Sequence, residues 1–201
     1  MKKLLLTSIL FLAALSSFAQ SELPPQNPMP TDSVTGKVIY KSIQKIDSAS
    51  KDELYSRAKV WIATTFNSAN DVIQLDDKTN GQIIIKGKYS FTITQNLGIA
   101  GANKYESYTP LNISIGLKEG KYKIEITDLV LNMYTEPDQY VKGGWNAYNV
   151  DDIYPISKST AQKMFKKLYI QGTNFIDVEC SAIISSFNSA MTKPTIQKSD
   201  W

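Results

Sequence analysis

The stretch Leu111–Thr127, LNISIGLKEGKYKIEIT, decides the fold of this chain. Apolar side chains fill every second position on both sides of Glu119-Gly120: Leu111, Ile113, Ile115 and Leu117 before it, and Tyr122, Ile124 and Ile126 after it. A two-residue period is typical of a strand that buries one face, and a short turn containing glycine joins antiparallel strands. The pattern therefore predicts a hairpin, with strands over 105–118 and 121–133, that hides one face and leaves the other in water.

Further strands are predicted before this hairpin. The longest, Gln82–Thr94, places Ile83, Ile85, Tyr89, Phe91 and Ile93 on one face. A short strand, Val72–Leu75, precedes it, and Lys37–Ile43 is rich in β-branched and aromatic residues that favour a first strand. We expect Pro110 to mark a break or an edge, because proline has no N–H to give to a ladder.

Two helices are predicted to cover one face of this sheet. Ser50 lies three residues before Glu53, which is the spacing of a capping box, and apolar residues recur at helical intervals from there to Phe66. A second helical pattern follows Ser157: Ser159 is a candidate cap, Gly172 interrupts the pattern, and the apolar stripe continues through Ile176, Cys180, Ile183, Ile184 and Phe187. The sequence predicts one α+β domain with an antiparallel sheet of about five strands, one face of which is buried under Trp61, Phe66, Ile183 and Phe187.

The two ends of the chain differ from this domain. Residues 1–19 combine Lys2-Lys3, an apolar run and small residues at Ser17 and Ala19, which together predict a cleavable secretory signal. Residues 20–33 carry four prolines and are interpreted as a linker, with a poorly ordered terminus or a polyproline ligand as alternatives. We place the domain at 34–190 and a tail at 191–201. The protein is expected to be exported, either periplasmic, attached to the envelope or released, with no membrane span in the mature chain.

Composition argues against several classes of function. The chain has no histidine, and Cys180 is its single cysteine, so histidine-dependent triads, zinc cages and an intramolecular disulfide are excluded. Arg57 is the single arginine and the net charge is only +3, with Lys2 and Lys3 inside the signal. Readers of phosphate and guanine rely on arginine. We therefore expect no nucleic acid, no cofactor, no metal and no enzymatic activity.

The segment from Tyr134 to Pro155 has no clear period and holds the candidate site. It combines aromatic side chains with glycine and asparagine, a mixture that is common on recognition surfaces. The candidate partner-binding residues are Tyr140, Trp145, Tyr148 and Tyr154. The alternative is that these rings pack back on the sheet as ordinary core. A calcium site formed by Glu136, Asp138, Asp151 and Asp152 is disfavoured, because their spacing does not match a calcium loop.

The order of elements resembles a known bacterial family. A strand at Lys37–Tyr40, a helix at Ser50–Phe66, further antiparallel strands that include Lys121–Thr127 and a long closing helix, all behind an export signal, are similar to the exported domains of unknown function with a TATA-binding-protein-like fold. The resemblance spans residues 34–190. It implies a curved antiparallel sheet with helices on one face, in the order β-α-β-β-β-β-α, and it implies neither catalytic residues nor DNA binding.

Three functions follow, in decreasing order of support. The first is a non-catalytic envelope protein that binds or assembles through the exposed sheet face and the 134–155 segment, with an envelope protein or a glycan as its partner. The second is a small-ligand protein that holds an apolar or glycan ligand in a pocket between the final helix and the sheet. The third is a hydrolase that uses a pair of carboxylic acids.

Overall fold

The computed structural model describes residues 23–97, 99, 101–137, 139, 142–158 and 163–193. The predicted signal at 1–19 and residues 194–201 of the predicted tail lie outside this range. In chain order the helices and strands are β1 (Tyr40–Lys45), α1 (Lys51–Thr65), α2 (Ala69–Val72), β2 (Ile73–Asp77), β3 (Gln82–Asn96), β4 (Ala102–Lys118), β5 (Lys121–Thr127), β6 (Val130–Thr135), β7 (Gly144–Asn149), α3 (Val150–Ile153) and α4 (Lys163–Thr192), with a 3-10 turn at Ile156–Lys158 before α4.

The strands form one antiparallel sheet of seven strands in the described part of the chain. Its main order is β1-β5-β4-β3-β2, and β6 pairs with β4 on one side and β7 on the other. β5 and β6 follow one another along the same side of β4, and β1 and β7 lie beside them in the same way. The sheet is therefore five strands wide, and β1 and β7 share one edge. This confirms the α+β class and antiparallel sheet predicted from the sequence, and it adds β7 from a segment in which no strand was predicted.

A bulge at Asp128 divides the predicted strand 121–133 into β5 and β6. Residues 112–118 of β4 pair with β5, whereas Ser107 and Tyr108 pair with β6, so that four residues (128–131) lie opposite three (109–111). Asp128 has a positive φ of 55°. One extra residue changes which alternate side chains face the core. The buried apolar positions are accordingly Tyr122, Ile124 and Ile126 before the bulge, and Leu129, Leu131 and Met133 after it.

Pro110 lies opposite this bulge and not at an edge. It is in the centre of β4, where it pairs with Lys88 of β3, but residues 109–111 have no partner in β5 or β6. The missing N–H of proline therefore breaks no ladder on that side. The prediction that Pro110 marks a break or an edge is therefore wrong for β4 itself, and the interruption lies in the neighbouring pairing with β5 and β6.

The two long helices pack on the same face of the sheet, as predicted. Ser50 caps α1 by accepting a hydrogen bond from the Glu53 amide at 3.1 Å. The ring of Phe187 in α4 makes edge contacts with Trp61 of α1, at 4.9 Å between centroids, and with Tyr122 of β5, at 5.3 Å. The single arginine, Arg57, is buried between the helices and donates to the backbone oxygen of Met191. Three elements thus meet in one aromatic core.

Gly172 does not interrupt the final helix, in contrast to its predicted role. Helix α4 continues through it, and a Cβ at this position would lie 2.5 Å from Leu131 Cδ2 and 3.1 Å from Ile93 Cδ1. The glycine therefore lets the helix approach β3 and β6 closely.

The predicted linker is a packed strap over residues 25–31. The Asn27 amide nitrogen donates to Asn174 Oδ1 at 2.8 Å and its Nδ2 to Asp177 Oδ2 at 2.9 Å, both on α4. The Met29 amide donates to the Tyr154 hydroxyl at 2.8 Å, and the Met29 side chain is buried. Proline removes N–H groups that would otherwise need partners, and side chains of the domain accept from the N–H groups of Asn27 and Met29. The interpretation as a poorly ordered terminus is therefore wrong for these residues.

Within the described residues, no helix has both the length and the apolar character needed to cross a membrane.

We predict that Asp128→Val destabilises the protein by about 1–2 kcal/mol relative to Asp128→Gly. Side chains with a Cβ are strained at positive φ, β-branched ones most of all, whereas glycine is not. Both variants lose the hydrogen bond between Thr127 Oγ1 and Asp128 Oδ2, so their difference isolates the backbone term. Urea unfolding of the two variants measures this difference. Equal midpoints would show that the bulge does not depend on the backbone conformation of this residue.

We predict that Cys180 resists thiol reagents in the folded protein. Its side chain is fully buried in α4, and burial, together with the nearby Glu179 and Asp177, raises the pKa of the thiol to about 12. The thiolate is the reactive form. Labelling by a maleimide is therefore expected to stay slow as the pH rises past the ordinary thiol pKa of about 8.5, and to become fast in urea. Fast labelling without denaturant would contradict this placement.

Candidate functional site

Three aromatic side chains meet on the sheet face that the helices leave open. The Trp145 ring lies 4.9 Å from the Tyr108 ring and 5.3 Å from the Tyr134 ring, centroid to centroid, and both contacts are edge-to-face. Such geometry is favourable between aromatic quadrupoles. Trp145 nevertheless stays 51% exposed. We call Tyr108, Tyr134 and Trp145 the aromatic end of the open face.

Strand pairing brings these rings together. Tyr134 of β6 lies directly opposite Trp145 of β7, and β6 pairs with β4 through Tyr108 and Asn132. Tyr134 points to the open face because it follows the bulge: in β5 the even positions face the helices, and in β6 the odd ones do. A partner strand places a facing pair on the same side of a sheet. The bulge therefore determines the face on which Trp145 lies.

A notch of about 350 Å³ opens beside Trp145. The Lys88 ammonium lies 5.2 Å from the centroid of the Tyr108 ring, within the range of a cation–π contact. The remaining lining comes from Phe91, from Ser90 and Thr92 with their hydroxyls, from Glu106 with its carboxylate, and from the buried Ser107. The notch thus offers an aromatic wall, hydrogen-bond donors and acceptors, and one charge of each sign.

The structure separates the four predicted candidates. Trp145 lies at the centre of the aromatic end. Tyr148 faces the helices and packs against Tyr169 of α4, with ring centroids 4.9 Å apart. Burial raises the pKa of Tyr169 to about 12, and the neighbouring Tyr148 contributes a smaller part of this increase. The Tyr154 hydroxyl accepts from the Met29 amide and holds the strap. Tyr148 and Tyr154 are therefore packed against the rest of the domain, as the alternative interpretation expected. Tyr140 lies outside the described residues.

The predicted loop also has regular structure of its own. It contains β7 and helix α3, and Asn149 caps α3 by accepting from the Asp151 amide at 3.0 Å. The expectation of an aperiodic segment is therefore wrong for residues 144–153. The pattern GWNAYN alternates between the two faces, but none of its residues is aliphatic except Ala147, so its period is hard to recognise.

Sequence reasoning did not select Tyr108 or Lys88 for the site. Both occupy even positions in strands whose odd positions are buried. A large aromatic residue on the wet side of a strand is the signal that identifies such a position. Tyr108 was hidden by its neighbours Tyr105 and Thr109, which give the start of β4 a less regular pattern.

The carboxylates near the loop and strap have structural partners. Asp151 Oδ1 accepts from the Val38 amide at 2.8 Å, and Asp177 Oδ1 accepts from the Tyr40 hydroxyl at 2.7 Å. Burial and the Asp177 carboxylate raise the pKa of Tyr40, which keeps its proton. Among the described residues, no group of three or more possible ligands of the His, Cys, Asp or Glu type could hold a metal. Asp138, one of the four acidic residues considered for calcium, lies outside the described residues.

A larger groove lies at the edge of the domain. Its volume is about 630 Å³, and it runs between the strap, β1 and α4. The residues that line it are largely polar: Thr31, Asp32, Ser33, Lys41, Ser181, Ser185 and Asn188, beside Pro30, Ile39, Tyr40 and Ile184. This lining does not favour the apolar ligand of the second hypothesis, because binding pockets for such ligands are mainly apolar.

Comparison with known proteins agrees with this architecture. The family model described as "Domain of unknown function (DUF4468) with TBP-like fold" matches residues 40–132. No curated protein matches the chain.

Two crystal structures share the fold. A TBP-like protein from Parabacteroides distasonis ATCC 8503 is 18% identical, with a TM-score of 0.54 over 86% of this chain and 99% of that one. A DUF4468 family protein from Bacteroides ovatus ATCC 8483 is 14% identical, with a TM-score of 0.56 over 83% of this chain and 93% of that one. These similarities establish the TBP-like fold and confirm the predicted resemblance, since residues 40–132 match the model of the bacterial family of domains of unknown function with a TBP-like fold.

Proposed function

We propose that this protein is a non-catalytic binding module of the cell envelope, and that its recognition surface is the aromatic end of the open face. The observation that carries the proposal is the half-exposed Trp145, which is held by two tyrosines on a rigid sheet beside a polar notch. Sites built on strands are more precisely positioned than sites on mobile loops.

The chemistry of the aromatic end suits recognition. Tyrosine and tryptophan present large apolar surfaces with few rotatable bonds, so little conformational entropy is lost when a partner covers them. The notch adds hydroxyls, Lys88 and Glu106, which fix orientation through hydrogen bonds. A glycan or a protein segment with polar groups above an apolar face would match this surface.

The partner is sought in the envelope because of the predicted signal at residues 1–19. A non-catalytic role is supported by the carboxylates described above. Asp151 and Asp177 each hold a backbone or side-chain donor of the fold, which leaves neither oriented for acid–base chemistry in a cleft.

We predict that Trp145→Ala weakens partner binding by at least about tenfold, because aromatic residues at the centre of an interface often contribute 2 kcal/mol or more. Purified protein is immobilised and exposed to envelope extract, both untreated and digested with protease, and the retained material is quantified. Material that survives digestion identifies a glycan, and material that disappears identifies a protein.

The matched control is Phe165→Ala, which removes an aromatic ring of similar exposure from α4, on the helical side of the molecule. It is expected to retain as much material as the wild type. Unfolding in urea verifies that both variants are folded. If the double variant Trp145→Ala, Tyr108→Ala is folded and still retains the same material, the proposal is wrong.

A further inference from the structure

Three lysines lie in one row across the opposite end of the open face. In the register of the sheet, Lys121 of β5 is directly opposite Lys45 of β1 on one side and Lys118 of β4 on the other. We call Lys45, Lys118 and Lys121 the lysine row. Directly opposite side chains in a sheet lie about 5 Å apart at their Cβ atoms, and like charges in such pairs destabilise the sheet.

Two neighbouring carboxylates bind other partners and form no ion pair with this row. Glu125 binds Lys41 at 3.1 Å and Lys123 at 2.5 Å, and although burial opposes it, these two hydrogen bonds lower the pKa of Glu125 below its ordinary value. Glu119, beside the row in the β4–β5 turn, instead accepts from the Lys51 amide at the start of α1.

None of the three lysines forms an ion pair with any other described residue, including Asp47, which lies close to the turn at Gly120. The row therefore places three positive charges side by side, with no carboxylate of a described residue within ion-pair distance.

An apolar depression adjoins the row. Ile43 of β1 is 57% exposed, and in the register of the sheet it is opposite Lys123, which is in turn opposite Gly116. A Cβ at Gly116 would touch nothing within 4 Å. The resulting notch has a volume of about 330 Å³ and is bordered by Lys118, Lys121 and Lys123.

We propose that the lysine row and the Ile43 notch bind the surface of an anionic phospholipid membrane. The ammonium groups would meet the phosphates, and Ile43 with the lysine methylenes would lie at the boundary between headgroups and acyl chains. Peripheral proteins combine these two contributions, since basic residues are attracted to anionic lipid and apolar side chains insert shallowly. This site is separate from the aromatic end and does not depend on the function proposed for it.

The composition of the surface favours a lipid over other anions. Lysine is a flexible point charge suited to a diffuse negative surface, whereas specific recognition of carboxylate or phosphate commonly uses the arginine fork. The single arginine of the chain, Arg57, is buried between the helices. A purely hydrophilic acidic peptide would leave Ile43 exposed, but a lipid surface supplies both the charge and the apolar layer.

The test is sedimentation of purified protein with vesicles of equal parts phosphatidylcholine and phosphatidylglycerol, compared with vesicles of phosphatidylcholine alone. Binding is expected only to the anionic vesicles and is expected to weaken at high salt. The triple variant Lys45→Gln, Lys118→Gln, Lys121→Gln is expected to reduce the partition coefficient by at least about tenfold, since each lysine near such a surface contributes roughly a fivefold factor. Ile43→Asn is expected to reduce it about threefold or more, because it removes apolar area.

Matched controls distinguish the site from general charge effects. The triple variant Lys37→Gln, Lys166→Gln, Lys193→Gln changes the net charge equally at positions outside the row and is expected to bind nearly as the wild type does. Trp145→Ala is expected to leave vesicle binding unchanged, so this result separates the lipid site from the proposed function. Equal loss in both triple variants, or equal binding to neutral vesicles, would refute the proposal. The proposal would also be refuted if polyglutamate displaced the protein from the vesicles while Ile43→Asn bound them as well as the wild type. That combination would indicate an acidic polypeptide as the partner.

Discussion

One extra residue at Asp128 determines the arrangement of the open face. Side chains of a strand alternate between faces, so a bulge of one residue exchanges the two faces for every position that follows. Ile126 and Leu129 both reach the core across this bulge, and Tyr134 is carried to the open side. Because β7 pairs with β6, Trp145 is placed by the same event. On either side of the bulge the neighbouring strand differs, because β5 pairs with β1 and β6 pairs with β7. The lysine row and the aromatic end therefore lie at separate ends of the open face.

The predictable part of the fold is the part whose side chains alternate without interruption. Ile83, Ile85 and Ile93 in β3, and the hairpin from Leu111 to Ile126, bury the positions that a two-residue period requires. The helices followed from caps and a helical apolar stripe. The bulge was also visible in principle, since the apolar positions change from even to odd between Ile126 and Leu129. A strand interpreted as continuous from Lys121 to Met133 conceals that change.

The strap and the aromatic end were less accessible to prediction for a different reason. The strap depends on single hydrogen bonds to side chains more than a hundred positions away, such as Asn27 to Asp177 and Met29 to Tyr154. No local period encodes such pairs. In the 134–155 segment, Trp145 and Tyr148 are both aromatic, and because one position is odd and the other even, they lie on opposite faces of β7. Which of the two faces is open can be decided only from the register with β6. The composition of the segment identified a group of candidate aromatic residues. Only the strand pairing distinguishes the exposed Trp145 from the packed Tyr148.

Net charge conveys little about this surface, because charge is segregated within the fold. The chain as a whole is close to neutral, yet Lys45, Lys118 and Lys121 stand in one row without a carboxylate partner among the described residues. Several acidic groups are instead engaged with the helices and the strap: Glu53 with Arg57, Asp76 with Lys59, and Asp177 with Asn27. Folding therefore engages several acids in ion pairs and hydrogen bonds on the helical side and leaves three bases together at one end of the open sheet. A field of this kind extends about 10 Å at moderate salt, far enough to orient the open face toward a negative surface before any contact forms.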